Sequence, residues 1–569
     1  MNILVMGLPF GGDRSNLQRF HSKHGHFLRF LAADGSADYA FAATETATGV
    51  VARVSTEWPV DLFICFCPEL FPPPLAIEDC PVKTVAAISD WNIYFPQLEY
   101  NLARYDVVLA DKRGAQTLPL KGAKAHWVTP LYSQLGLIHK DQGIARDIDI
   151  LFLGNLNGSM HPRRNHLLER IARMSDRCKV VIGEGFIDEA YAHMLNRARI
   201  VFNCSVRGEM NLRAFEATAC GALVFIEEDN LESQVYLRPG EDAVYYSDSN
   251  LEERLQYYLD HEEERARIAK NGLRCIADLE SIHRLDALVE WIAEQPMGPR
   301  AFKEFTVEVQ EAATILQYAT SLVEEQQLLS REFIADALMK RDGDPALLMI
   351  AGADVLARVL KTEGEERINH MHDALGLLMT ACNISPTDMV PRLNYAFGCY
   401  MVHAAALERD MLEKVLRSTS ATHGGLVLGQ SSDAYYCAWR RALATPTPDV
   451  SILKSSAACR LAVLCLEAGE AAEAERYARL ALTLFARAPQ AYLRLADALI
   501  AQKKIEPAIA AILGGLEFAA LDADYWKCAI ELLRLTGAQD QAKRLLADCR
   551  KFCQVFLGDR AQQWNLEIE

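Results

Sequence analysis

Gly469, Lys503 and Gly537 stand 34 residues apart and interrupt stretches rich in alanine and leucine. Ala474, Ala508 and Ala542 follow at the same interval, and Ala462, Ala496 and Ile530 precede at it. A fixed period of this length, with small residues on both sides of a turn, predicts pairs of antiparallel helices stacked into a solenoid. Alanine at these positions lets paired helices approach closely. Upstream, Ala374, Leu378, Ala381 and Pro386, followed by Asn394-Tyr-Ala396, fit a diverged copy of the same unit. Strand signals vanish from about residue 300, so residues 299–569 are expected to be all-α. Gly424-Gly425 and Thr445-Pro-Thr-Pro448 read as loops between its helices. Such an array offers a curved surface for a protein segment or for self-association, and it carries no catalytic constellation.

The preceding part has a different texture. Apolar runs at Ile3–Gly7, Ala40–Ala43, Val60–Phe66, Lys83–Ile88 and Asp106–Ala110 are short and continuous, as strands covered on both faces are. A second set follows the linker at Gln142-Gly143: Ile148–Leu153, Val180–Ile182, Ile200–Phe202, Leu223–Ile226 and Ala243–Tyr246. Helical or loop segments separate the strands in both sets, which predicts two Rossmann-like α/β domains, residues 1–142 and 143–298. A chain of 569 residues is too long for one core in any case. From Asn250 to Ile292 the pattern turns helical.

A net charge of −17 argues against a general nucleic-acid or anionic-membrane surface. The fifteen cysteines are scattered without paired zinc spacing, and His21, His24 and His26 lack acidic companions, so no metal site is expected. Most of these cysteines are read as buried small hydrophobes in a reducing compartment. Met1–Gly7 is strand-like from its first residues, and no apolar run approaches the length of a membrane span. The expectation is a cytoplasmic protein.

Chemistry concentrates between Arg207 and Phe225, read as strand end, polar turn, short helix, glycine stop and second strand. Asn211 is suited to cap that helix and Gly221 to end it in a left-handed conformation. Leu212, Phe215 and Ala219 share the face that packs on the sheet, while Arg213 and Glu216 lie one turn apart on an adjacent stripe. There they project past the sheet edge, where parallel sheets bind ligands. Glu216 can accept two hydroxyls at once, and Arg213 can offer a planar fork to a phosphate. The alternative is a surface ion pair between the two. Glu209 lies in the same polar turn.

Other polar residues stand at strand ends. Gly11 and Gly12 form a glycine-rich turn after the first strand but lack the full dinucleotide fingerprint. Asp90, after the Val85–Ile88 strand, stands at the cleft mouth, where it would take a proton from an acceptor hydroxyl or cap the next segment. Asn155 and Asn157 lie in the polar turn after Leu153. Arg163, with Arg164, opens the next helix, where both would join the helix dipole in holding a diphosphate or form an exposed basic turn.

Asn-Leu-Arg-Ala-Phe-Glu-Ala-Thr-Ala-Cys-Gly-Ala-Leu (211–223) resembles the donor-site helix of group 1 glycosyltransferases of GT-B fold, especially the spore-maturation-like branch. Asp149–Asn157 followed by Arg163 is similar to the opening strand and loop of that donor domain, and Arg238–Tyr246 to its later stretch. The repeat period is that of tetratricopeptide repeats. Ile88-Ser-Asp-Trp, Asp106–Gly114, Arg146–Asn157 and Asn196–Asn203 together resemble bacterial glycosyltransferases carrying such repeats, some of which modify flagellin.

The resemblance implies a nucleotide-sugar donor, with a uridine nucleotide expected, and Glu216 on its ribose. It implies a phosphate role for Arg163, a helix from 250 onward that returns to brace the first domain, and retention of anomeric configuration without a metal. It also implies protein acceptors modified on serine or threonine, flagellin among them. In that family a second acidic residue stands eight positions before the ribose glutamate; here that position is Gly208, with Glu209 beside it. Two alternatives remain open: a catalytically degenerate repeat scaffold, and a transferase acting on lipid or polysaccharide.

Overall fold

The computed structural model describes residues 1–7, 25–69, 71–88, 91, 98, 101–118, 124–126, 135–136, 138–157, 161–206, 208, 211–230, 232–277, 281–298, 300, 309, 311–312, 324–359, 361–421 and 450–564. The first set of apolar runs forms a seven-stranded parallel sheet. Its strands are β1 (Asn2–Met6), β2 (Phe27–Ala32), β3 (Tyr39–Ala40), β4 (Leu62–Phe66), β5 (Lys83–Ala87), β6 (Val107–Leu109) and β7 (Lys124–His126). They lie in the order β3-β2-β1-β4-β5-β6-β7. Strand alternation sends Leu4, Met6, Phe63 and Cys65 to the face covered by the helix Ala47–Ser55. Ile3, Val5, Leu62 and Ile64 point to the other face, which Leu288, Val289 and Ile292 of the helix Ser281–Glu294 cover. That helix belongs, in sequence, after the second sheet, so the chain returns to brace the first. Lys83 locks the return by donating to the carbonyls of Ile292, Ala293 and Gln295. Arg300 pairs with Asp106 at 2.9 Å.

Strands β2 and β7 are additions to the sequence reading. In β2 the apolar run is broken by Arg29, which donates to the Tyr39 hydroxyl at the sheet edge. The three residues of β7 are too few to show a period.

The second sheet holds β8 (Ile148–Leu153), β9 (Val180–Gly183), β10 (Ala198–Phe202), β11 (Leu223–Glu227) and β12 (Val244–Tyr246), all parallel, in the order β12-β11-β10-β8-β9. Leu151, Leu153, Val201 and Val224 face the helices Asp188–Arg197 and Leu212–Ala219. Phe152, Phe202, Phe225 and Tyr246 face the other way, into an apolar cluster that runs on without a break into the C-terminal helices.

Those helices pair as the period requires: Val450–Glu467 with Ala471–Leu484, Pro489–Ala501 with Ile505–Leu516, and Ala523–Leu535 with Gln539–Val555. Each pair is joined by a left-handed residue, Gly469 (φ +76°), Lys503 (φ +60°) and Gly537 (φ +82°). Ala462, Ala474, Ala496, Ala508, Ile530 and Ala542 are buried between the helices.

The helical part touches both α/β domains. Near its start, Gln326 donates to the carbonyls of Ala33 and Phe41 and accepts from the Ala43 amide, while buried Glu311 pairs with Arg104. Near its end, the Leu557 amide donates to the Ile182 carbonyl at the edge of β9. Lys551 pairs with Asp176 at 2.7 Å and Arg173 with Asp548 at 3.2 Å. No described helix is long and apolar enough to cross a membrane.

Candidate active site at the β8/β10 switch point

In the second sheet the chain passes from β8 to β9 on one side and then returns from β9 across β8 to β10 on the other. A crevice opens where a parallel sheet reverses its order in this way, outside the carboxyl ends of the strands. The loops that follow β8 and β10 meet there, and both lead into helix N-termini, which favour anions.

Glycine 154 ends β8, and a Cβ placed on it would lie 2.1 Å from Nη2 of Arg213. Only a bare backbone lets that guanidinium settle. Arg213 donates from Nε to the Leu153 carbonyl (2.9 Å) and from Nη1 to the Asn203 side chain (3.2 Å). Its Cζ stands 4.4 Å from the centre of the Phe152 ring. The side chain is thus folded over the strand ends, clamped between β8 and β10. Asn211 caps the 212–219 helix by accepting from the Ala214 amide (3.4 Å), and its Nδ2 is buried without a partner among the described residues. Gly221 ends the helix at φ +74°, as its position requires.

Arg163 differs from the free guanidinium expected. It lies at the N-terminus of the helix Pro162–Ala172, held by Asp229 (2.7 Å) and Asp248 (2.9 Å), two carboxylates supplied beyond the ends of β11 and β12. Its neighbour Arg164 is buried and turned inward, donating to the carbonyls of Cys204 and Asn155. His161, within reach of the Arg164 and Arg213 charges, is 7 % exposed, with Nδ1 unpartnered among the described residues. Burial, reinforced by the two guanidinium charges, pushes its pKa down to about 2, so the ring is neutral. Asn155 spends its side chain on the turn itself, accepting from the Asn157 amide at 2.8 Å.

Glu216 also departs from the sequence reading. It does not project freely beyond the sheet edge but is 8 % exposed, beside Tyr191 and His139. It is covered because the 212–219 helix packs against the interdomain segment and the helix Asp188–Arg197. Asp90, Gly11, Gly12 and Glu209 lie outside the described residues.

The loop after β10 is anchored by Glu227, fully buried at the end of β11, which accepts from the Ser205 amide and hydroxyl and from Asn230. Burial raises its pKa, and those hydrogen bonds only partly oppose the shift. Across the crevice, the Lys112 amide of the first domain donates to Glu232 of the second at 2.9 Å. Arg113 brings its guanidinium within 3.0 Å of where a side chain on Gly208 would begin. His161, Arg113, Tyr191 and His139 were missed from sequence. His161 alone left a local signal, as the residue just before a proline at a helix start following the first strand of the second sheet.

Residues 163–290 match the protein-family model described as "Glycosyl transferase-like". No curated protein matches the chain. Among solved structures, a sucrose-phosphate synthase from Thermosynechococcus elongatus is 11 % identical, covering 52 % of this chain and 98 % of that one, with a TM-score of 0.37. YrrB, a TPR protein with an unusual peptide-binding site, is 14 % identical over 42 % of this chain and 94 % of its own (TM-score 0.27). PilW, a type IV pilus biogenesis factor, is 15 % identical over 45 % and 96 % (TM-score 0.31). The glycosyltransferase-like match thus falls on the second α/β unit, the one with the switch-point crevice, set between a first parallel-sheet domain and a helical array.

Proposed function

We propose that the protein transfers a sugar from a nucleotide-diphospho sugar to serine or threonine hydroxyls of a protein held by the helical array. The observation that carries this reading is the convergence of Arg213, Arg164, neutral His161 and two helix N-termini at the switch point of the matched domain. A departing diphosphate gathers negative charge. Preorganised guanidinium groups and helix N-termini stabilise that charge without reorganisation cost. The unpartnered polar atoms of His161 and Asn211 are further support, because buried polar groups ordinarily have partners and a bound donor would supply them. Arg163 would join by exchanging Asp229 or Asp248 for phosphate. Glu216 takes the ribose hydroxyls, with a uridine nucleotide preferred, and the reaction needs no metal and retains anomeric configuration. Asp90 is the residue we assign to the acceptor hydroxyl, and flagellin is the acceptor class to try first.

Purified protein incubated with a panel of nucleotide sugars should release one nucleotide, and the Glu216→Ala variant should release none. Absence of both turnover and thermal shift with every donor would overturn the reading and favour a binding scaffold.

A further inference from the structure

The segment joining the two sheets carries a histidine into the donor domain. His139 is 6 % exposed, and its Nδ1 lies 3.9 Å from Oε1 of Glu216. Its ring meets the ring of Tyr191 edge-on at 5.8 Å, and the Tyr191 hydroxyl hydrogen-bonds Glu216. Neither ring nitrogen of His139 has a hydrogen-bond partner among the described residues. The backbone around it is fixed from several sides. Asn196 donates to the Lys140 carbonyl and accepts from the Gln142 amide. Arg146 donates to the carbonyls of Ala198 and Cys220, and the Gly136 amide donates to the carbonyl of His139 itself. A loop that wandered would not be tied to a strand, a helix and a helix end at once.

A buried imidazole with both nitrogens unmatched is costly unless a further state of the molecule uses it. The gap to Glu216 is about 1 Å longer than a hydrogen bond, a distance that side-chain adjustment on ligand binding closes. We propose that His139 is a positioning residue for Glu216: with Tyr191 it fixes the carboxylate so that both oxygens meet a vicinal diol. This rests on the reading of Glu216 as the ribose-binding group. Because His139 sits in the interdomain segment, movement of that segment also changes how well the carboxylate is held.

The test compares uridine diphosphate with 2′-deoxyuridine diphosphate, titrated calorimetrically into full-length wild type, His139→Leu, His139→Asn, Glu216→Ala and the His139→Leu/Glu216→Ala double variant. Wild type should favour the ribonucleotide by about tenfold, the worth of one good hydrogen bond to a charged group. In His139→Leu that preference should fall close to one, with KM for the donor raised and kcat little changed. His139→Asn, which keeps a polar nitrogen near the position of Nδ1, should recover part of it. In the Glu216→Ala background His139→Leu should have no further effect, since coupled residues are non-additive. An unchanged preference in His139→Leu, or an equal loss with and without Glu216, would overturn the proposal. If Glu216→Ala itself kept the ribose preference, the ribose reading would fail first and the positioning role with it. A merely structural loss in His139→Leu would weaken both nucleotides equally and would not be mended by asparagine.

Discussion

Gly208 adopts φ +71°, and a Cβ there would begin 2.9 Å from the backbone oxygen of Asp229 and 3.0 Å from Arg113. An acidic side chain at this position, as the resemblance would have it, has neither the space nor the backbone to exist in this loop. Gly208→Ala is expected to cost about 1–3 kcal/mol, read as a lower urea midpoint with an unchanged slope. Arg213 makes the complementary case. Lysine would keep its charge and lose the fork that spans the Leu153 carbonyl and Asn203, together with the stacking on Phe152. Arg213→Lys should lower kcat by about 100-fold, if loss of preorganised charge acts as it does in other anion holes, with little change in the unfolding midpoint. Arg213 and Glu216 were legible because one short helix carries both, and its cap and stop were written at Asn211 and Gly221. Their surroundings were not legible. His139, Tyr191 and Asn203 come from other elements, and only the packing of the sheet brings them together, so no local pattern announces them.

The three helix pairs at the end of the chain share one turn conformation, but at Lys503 a side chain must adopt the left-handed backbone that glycine takes at 469 and 537. Lys503→Gly should therefore raise stability by about 0.5–1 kcal/mol, visible as a higher thermal midpoint, because a Cβ penalty is removed. The period itself was plain in the sequence, since small residues recur wherever two helices must touch. The parallel sheets were plain for a related reason: strands buried on both faces are apolar throughout. Strand β2, second from the edge beside the two-residue β3, escaped because its first half is open to solvent, which admits Arg29 and breaks the continuous apolar run. Strand β7 escaped because three residues carry no pattern.

The array is joined to the second α/β domain through a partly buried charge cluster. Glu169 lies there with Arg173 and Asp548, and burial pushes its pKa up to about 7 from an ordinary 4.5, outweighing the attraction of Arg173. The folded protein thus holds this proton where the unfolded chain releases it. The contribution to stability is complete below pH 4.5, is lost as pH rises toward 7 and is level above that. Glu169→Gln should match wild type near pH 4.5 and unfold at a higher temperature than wild type near pH 8. A difference that shrinks with rising pH would contradict this. At its other end the same run of helices is fixed to the first domain through Gln326 and Glu311. The chain therefore describes a closed circuit: first domain, second domain, back along the 281–294 helix, and through the array to the second domain again. In a closed circuit no member moves alone. Any rotation that widens the crevice must be absorbed as bending along the array, shared among many helix pairs in small increments. The array then acts as a spring between the two domains, and whatever stiffens it also sets the angle at which they come to rest.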